Sequence, residues 1–443
     1  VKENLPSVDM TSHFYEHIPL PDYEQLVNCI HCGMCLPVCP TYALTGLEKN
    51  SPRGRIRMIR AVADGELDLT DNFKESLSFC LNCQACVTAC PAGVEYGQLV
   101  EAAQLHVEAD NLAKRKYSRL KRFSLDWLFG DLRRLRILGK LMRLYQWLGI
   151  ASLIQRTGAL KIISGRLHEM SFMAPKVPPS EPYSVKTAGV KKDSGNIRVG
   201  ILPGCIQDVF FRDVNQDTID VLSRNGYDVF IPDKDYCCGS VHGHNGNIEM
   251  ARQLARNLID IYEAGKVDCV VMNSAGCGAF MKEYGHLLAG DPEYAVRAER
   301  FAAGIKDISE ILTEHGWQIP PNVIRGKVTY HEPCHLVHTQ KISRQPRELI
   351  ASIPGITFVE LPEATWCCGS AGIYNITRYE DSMRVLERKM NNIKNCGADY
   401  VVTGNPGCMI QLIYGAKKFQ VPVRILHPVS LLNQAYNGKE LKV

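Results

Sequence analysis

Residues 29–40 read Cys29-Ile30-His31-Cys32-Gly33-Met34-Cys35-Leu36-Pro37-Val38-Cys39-Pro40, a C-x2-C-x2-C-x3-C-P run. Cys80, Cys83, Cys86 and Cys90 repeat the same spacing and close on Pro91. Three thiolates at this spacing, with a fourth before a proline, bind [4Fe–4S] clusters, and the fourth cysteine of each run ligates the cluster of the other. On that rule one cluster takes Cys29, Cys32, Cys35 and Cys90, and the second takes Cys80, Cys83, Cys86 and Cys39. Two such clusters side by side serve to pass single electrons.

Competing uses of these thiols fit less well. Zinc sites pair two short Cys knuckles, or one knuckle with histidines. Disulfides need an oxidising compartment, and the opening stretch Val1–Met10 lacks the basic-then-apolar order of a secretory leader. Eighteen cysteines in 443 residues are too sparse for a small disulfide scaffold and suit metal ligation instead. The expected location is reducing cytoplasm, with peripheral contact at the inner face of a membrane as an option. No apolar run approaches the roughly 20 residues of a membrane span.

Working outward, the chain is long enough for two or three domains, and its 45% hydrophobic content is that of a globular protein. Ser51-Pro52-Arg53-Gly54-Arg55-Ile56-Arg57, between the two runs, is expected to open a helix. Its arginines either offset thiolate charge or decorate the surface. The net charge of +4 conceals an asymmetry: residues 112–166 hold fourteen Lys/Arg against Asp126 and Asp131. Leu128, Leu132, Leu135, Leu138, Met142 and Tyr145 fall there at helical spacing, so the segment reads as a basic amphipathic helix or helix pair. It packs on its own protein, clasps a partner subunit or rests on anionic lipid. Nucleic acid is not expected, because no reading motif accompanies the charge. Pro175, Pro178, Pro179 and Pro182 then mark a solvated linker.

Beyond the linker the chain repeats itself. Cys205, Cys237-Cys238-Gly239 and Cys277 recur as Cys334, Cys367-Cys368-Gly369 and Cys408, at offsets of 129, 130 and 131. Short apolar runs (Ile197–Leu202, Tyr227–Ile231 and Cys269–Met272, then Val328–Tyr330, Ile356–Leu361 and Tyr400–Thr403) alternate with helical stretches. Each half is therefore expected to be a parallel-sheet α/β unit with its cysteines beyond the carboxyl ends of strands. The glycine after each pair is expected to let backbone pass close to the sulfurs.

The expected organisation is α+β and α/β, multi-domain. A helical two-[4Fe–4S] ferredoxin-like module (1–110) precedes a basic helical segment (111–172) and a Pro-rich linker (173–196). Two tandem Cys-Cys-Gly (CCG) repeats follow, 197–325 and 326–443. Four converging thiols per half suit a cluster or a redox disulfide. Cys334, Cys367, Cys368 and Cys408 are the first candidates for a third iron–sulfur centre, because His331, His335 and His338 flank Cys334 and offer an extra ligand or a proton. Cys205, Cys237, Cys238 and Cys277 are candidates for a further centre. Cys269 and Cys396 read as small buried hydrophobes, and His242 and His244 as more often structural than functional.

Two ferredoxin motifs followed by two CCG repeats resemble the glycolate oxidase iron–sulfur subunit family over nearly the whole chain. Cys277–Gly285 (CGAFMKEYG), Cys367–Tyr374 (CCGSAGIY) and Ser51–Ile56 (SPRGRI) carry the more specific resemblance. The repeats also look like the CCG-bearing subunit of heterodisulfide reductase, in which each repeat ends in C-x2-C and five cysteines cradle a non-cubane cluster. Here Ser274 and Asn405 stand where the first cysteine of each C-x2-C would be, leaving at most four thiolates per half.

The resemblance implies an electron-transfer role alongside FAD-binding subunits that oxidise a 2-hydroxy acid such as glycolate or lactate. Electrons would pass to a quinone or another carrier, and this chain alone would not act on the hydroxy acid. No G-x-G-x-x-G lies between an expected strand and helix, so flavin is not expected in this chain. The rival expectations are a catalytic subunit reducing a disulfide or quinone at a C-terminal cluster, and an assembly scaffold with metal-free repeats.

Overall fold

The computed structural model describes residues 13–15, 18–114, 116–185 and 197–438. Residues 186–196 of the expected linker, and the Val1–Met10 stretch, lie outside the described residues. The chain forms two compact units, one built from residues up to 122 with 244–246, the other from 123–243 and 247 onward.

The first unit is helical. The Ser-Pro-Arg-Gly-Arg stretch opens a helix, Pro52–Ala63: Ser51 accepts the Gly54 N–H at 3.0 Å, and Pro52 occupies the first turn, where a missing N–H costs nothing. Gly54 is obligatory, because a Cβ there would sit 2.0 Å from the Glu48 carbonyl oxygen. Thr70 caps a second helix, Asp71–Ser78, by accepting the Phe73 N–H. A third spans Tyr96–Lys114. Ile56, Ile59 and Val62 from the first pack with Phe73 and Leu77 from the second and Leu99, Val100 and Ala103 from the third.

The second unit begins with a run of helices, Lys116–Phe129, Leu132–Trp147, Ile150–Thr157, Ala159–Ile163 and Gly165–Met170. Only part of the expected apolar stripe is covered. Leu132 and Leu135 are buried, and Gly139 lies so close to Val209 that a Cβ would meet its Cγ1 at 2.8 Å. Arg136 reaches inward on the same face to Asp208 and Asp235, both at 2.7 Å. Leu138 points to solvent instead, together with Ile137, Leu141, Leu144 and Trp147. Pairing Arg136 inward fixes the rotation of the helix, so Leu138, two residues on, falls outside the covered face.

Two four-stranded parallel sheets follow. Strands β1 (Arg198–Ile201), β2 (Asp228–Phe230), β3 (Cys269–Met272) and β4 (Ile305–Asp307) lie in the order β2-β1-β3-β4. Strands β5 (Gly326–Tyr330), β6 (Ile356–Phe358), β7 (Tyr400–Val402) and β8 (Arg424–Leu426) lie in the order β6-β5-β7-β8. The registers correspond, Val199 pairing with Val229 and Cys269, and Val328 with Phe358 and Tyr400. The sequence repeat is thus a structural repeat, and the molecule is a helical N-terminal region followed by two parallel-sheet α/β units. Val199, Ile201, Ile219 and Leu222 share one core with Val328, Tyr330, Leu349, Val402 and Leu432, which fuses the two repeats. No helix among the described residues is long and apolar enough to cross a membrane.

Candidate metal centres

The two N-terminal cysteine runs fold alike. His31 and Gly33 in the first run and Asn82 and Gln84 in the second take left-handed backbone, with φ of 55°, 86°, 47° and 59°. Such alternation turns backbone N–H groups to one side as an anion-binding nest; the Asn82 N–H meets the Cys80 sulfur at 3.4 Å. One cavity is walled by Cys29, Cys32 and Cys35 of the first run together with Cys90 of the second, and Cys86 also reaches it. Cys39 lies near both runs: it acts on Cys35 of its own run and, with Cys83, Cys80 and Cys35, on Cys86, whose thiol burial pushes well above the ordinary range. A donor set made of thiols and inward N–H groups fits iron–sulfur clusters. Cys32 is exposed, flanked by exposed Ile30 and Met34.

The Arg53–Arg57 arginines divide. Arg57 is at the surface, and Arg53 pairs with Glu48 at 2.7 Å and donates to the His31 carbonyl at 2.9 Å. Arg55 is wholly buried and donates to the Ser76 carbonyl at 2.8 Å and to Thr41 Oγ1 at 3.1 Å. Burial opposes its charge, but Tyr96, Cys80 and Cys39 outweigh that and hold it protonated. The sequence signal was its place on the apolar face with Ile56, Ile59 and Val62.

In the second unit all eight paired cysteines fall beyond the carboxyl ends of strands, where open α/β sheets place ligands. Cys205 follows β1, the Cys237-Cys238 pair follows β2, and Cys277 follows β3. The sulfurs of Cys237 and Cys205 lie 3.8 Å apart. Cys237 is held low by hydrogen bonds from Cys205 and Cys238, while Cys205 is pushed up by the same contact and by burial. The Tyr284 hydroxyl donates to the Cys238 carbonyl at 2.6 Å.

In the second repeat the free thiol of Cys334 hydrogen-bonds with that of Cys367, and Cys368 with those of both Cys367 and Cys408. The His331 ring and the Cys368 and Cys408 sulfurs place one ligand atom each within 4.8 Å of one another. His338 is buried, and its desolvation pushes it down to about 4. Lys389, fully buried, donates to the Ala364 carbonyl at 3.1 Å; burial lowers it to about 8 against the opposing pull of Cys368, Cys367 and Cys408. It was readable as a lysine on the buried face of Val385, Leu386, Met390 and Ile393.

Backbone at the glycines after the pairs does pass close to sulfur: the Gly369 N–H donates to the Cys367 sulfur at 3.4 Å, and the Gly239 backbone bonds Cys237. Gly239 and Gly369 both have φ of +87°, and a Cβ on Gly369 would meet the Ser382 carbonyl oxygen at 2.7 Å. At Gly369 helix backbone also excludes a side chain. Ser274 and Asn405 keep a tie to the thiols: Ser274 bonds Cys277, and the Asn405 amide donates to the Cys408 sulfur at 3.4 Å. Cys269 and Cys396 are half-buried rather than fully buried, the latter donating to the Ile393 carbonyl at 3.1 Å. His242 is buried 3.5 Å from Asp126, and His244 lies in the first unit 3.2 Å from Glu101.

A separate cavity of about 740 Å³ opens beside the first repeat, between Arg136, Arg143, Leu144, Trp147, Pro203 and Arg212.

A chain with a two-run thiol module and two cysteine-rich α/β repeats is an iron–sulfur protein by class. Comparison with known proteins agrees: residues 25–94 match a 4Fe-4S dicluster domain, 199–282 and 328–413 a cysteine-rich domain, and 117–174 the linker region of the glycolate oxidase iron-sulfur subunit. The chain is 38% identical over 428 residues to a probable glycolate oxidase iron-sulfur subunit of Bacillus subtilis, covering 94% of this chain and 96% of that protein. It is 31% identical over 413 residues to the glycolate oxidase iron-sulfur subunit of Escherichia coli, with coverage of 92% and 93%. A shorter relative, lactate utilization protein A of Geobacillus kaustophilus, is 27% identical over 238 residues, 54% of this chain and 99% of that one. The chain belongs to the glycolate oxidase iron-sulfur subunit family.

Proposed function

We propose that this chain is the electron-transferring subunit of an oxidoreductase acting on a 2-hydroxy acid, glycolate or lactate, working in the cytoplasm with a partner that carries FAD. The observation that carries the reading is the cavity that joins Cys29, Cys32 and Cys35 to Cys90 across the two runs. In this reading Cys29, Cys32, Cys35 and Cys90 hold one [4Fe–4S] cluster, and Cys80, Cys83, Cys86 and Cys39 the other. Such clusters supply one-electron transfer when bound. The chain's own residues thread the thiolates, aim backbone N–H groups at them and set a buried arginine, Arg55, against their charge.

Cys334, Cys367, Cys368 and Cys408 form a third metal centre in the same reading, and Cys205, Cys237, Cys238 and Cys277 a further one. The five-part division at residues 110, 172, 196 and 325 follows these roles. Electrons leave to a quinone or another carrier. The cavity by Trp147 and Arg143 supports a small amphiphilic acceptor, with apolar walls for a ring and Lys140 and Arg143 for its oxygens, Arg136 and Arg212 being paired there with Asp208 and Asp235. The solvent-facing Leu138, Leu141, Leu144 and Trp147 among basic residues support peripheral contact with an anionic membrane surface.

Anaerobic copurification from a native source tests the reading. The expected result is a flavin-bearing partner in the complex and about eight or more iron and sulfide per chain. A colourless chain after oxygen-free reconstitution overturns it.

A further inference from the structure

The geometry points to a mixed thiolate–imidazole metal site in the second repeat, with His331, Cys368 and Cys408 as ligands of a thiophilic first-row ion, iron or zinc. The inference rests on reading the second repeat as a metal centre and names a ligand that no thiol pattern supplies.

His331 is set in place by the sheet. It follows directly on β5, and its N–H bonds to the Val402 carbonyl of β7 at 2.9 Å, which fixes it at the carboxyl edge between the two central strands. That edge is the switch point of the strand order, where such sheets bind ligands. The ring is 1% exposed, and neither ring nitrogen makes a well-formed hydrogen bond, the Ala364 backbone being the one polar group that acts weakly on it among the described residues. Buried imidazoles ordinarily bond through at least one nitrogen, so an orphaned pair marks a missing partner. A ring nitrogen and the sulfurs of Cys368 and Cys408 lie within 4.8 Å of one another. Metal–sulfur bonds of about 2.3 Å and metal–nitrogen bonds of about 2.0–2.1 Å set tetrahedral ligand atoms about 3.6–3.8 Å apart, inside that limit. Neutral imidazole with thiolates is a donor set for zinc or iron and a poor one for magnesium or calcium.

The surroundings agree. Cys367 and Cys334, free thiols in hydrogen-bond contact with this set, supply further thiolates for the remaining positions. Lys389 is a buried cation whose charge acts on Cys368, Cys367 and Cys408 and offsets theirs. The first repeat differs at the matching position: directly after β1, where His331 follows β5, stands Leu202, 1% exposed, and its buried histidine, His242, comes instead from just after the Cys237-Cys238 pair and acts on Cys237. The two repeats therefore share a fold and four thiols but bring their histidines in from different places.

The test uses the full chain, purified without oxygen, with one sample reconstituted with iron and sulfide and another with zinc alone. Metal is counted per chain, and ligand nitrogen is read by electron spin echo on 15N-histidine-labelled iron protein and by X-ray absorption on the zinc protein. Expected is metal beyond that of the N-terminal runs, carrying one nitrogen ligand. His331→Leu, which copies the first repeat, abolishes the nitrogen signature and weakens metal retention at least tenfold. Should His331→Leu misfold, His331→Cys restores a donor and is expected to retain metal without the nitrogen signature. Metal that is lost in Cys368→Ser, but keeps its signature and affinity in His331→Leu, overturns the role of His331 alone. A wild-type chain with no metal outside the N-terminal runs in either sample overturns the reading of the second repeat itself.

Discussion

The Asn405 side chain joins the two repeats: its Oδ1 accepts the Gly276 N–H at 3.2 Å while its Nδ2 donates to the Cys408 sulfur at 3.4 Å. The neighbouring Ala275 N–H bonds the Gly404 carbonyl at 3.0 Å, and the His427 ring meets the Asn273 carbonyl at 2.9 Å. The last cysteine loop of each repeat is thereby laced to the last loop of the other. Asn405→Ala removes both bonds of the amide and is expected to lower stability by about 1–2 kcal/mol. Denaturant unfolding followed by circular dichroism measures it, and an unchanged midpoint shows that the tie carries nothing.

Exchange of the fourth cysteine between runs makes a prediction that a single-run scheme does not. Cys90→Ser is expected to disturb the cluster of Cys29, Cys32 and Cys35 and to lower iron by about four per chain. Resonance Raman or EPR of Cys90→Ser and Cys32→Ser should then show loss of the same centre. Loss of two different centres refutes the exchange.

Arg55 is a buried cation whose bonds end on Ser76 and Thr41 and whose charge faces Cys80 and Cys39. Arg55→Gln is expected to cost about 2 kcal/mol or more, since two charge-assisted bonds go. It should also make the reduction potential of a cluster held by Cys80 and Cys39 more negative, because a positive charge that favours the added electron is lost. Redox titration followed by EPR reads the shift, and a positive or absent shift rejects the electrostatic role.

Asp307, at the end of β4, is 4% exposed and is pushed up to about 6 by burial, although Ser309 donates to it. A carboxyl raised in the folded state binds its proton more tightly there than in the unfolded chain. Its contribution to stability is therefore present below about pH 4 and is lost as pH rises through about 6. Asp307→Asn keeps the helix cap but cannot ionise. The gap between variant and wild type should widen from about pH 4 to 6 and level off above, reaching about 1–2 kcal/mol. A gap that is constant with pH contradicts this.

The solvent-facing Leu144 and Trp147 supply the fifth prediction. Co-sedimentation with vesicles of anionic lipid should fall several-fold in Leu144→Glu/Trp147→Glu and on raising salt to about 0.5 M. Equal binding to neutral vesicles removes the role of charge, and no binding by wild type assigns the surface to a protein partner.

What the sequence made legible was whatever is local. The cysteine runs declare themselves because their ligands stand two or three residues apart. Strands β1, β3, β5 and β7 were visible as apolar runs because both faces of a central parallel strand are covered. Strands β4 and β8 were missed: Ile305-Lys306-Asp307 and Arg424-Ile425-Leu426 are three-residue edge strands with charged members. A capping signal, Asp307 three residues before Glu310, would have located the end of β4. Arg55 and Lys389 show the opposite limit. Each sits on an apolar helix face, but the groups it meets there, carbonyls and thiols, are brought by other segments of the chain. The isolation of the His331 ring required β5, β7 and the Cys367 loop to be seen together.

Of the eight N-terminal thiols, Cys32 alone is exposed, and Ile30 and Met34 stand 68% and 60% bare on either side of it. A redox partner seated on this rim would meet the first thiol set with little polypeptide between them, the shortest gap for a tunnelling electron. A bare sulfur on this rim would also leave a cluster held there open to dissolved oxygen. Covering it would speed the exchange of charge and shield the site from air in the same motion.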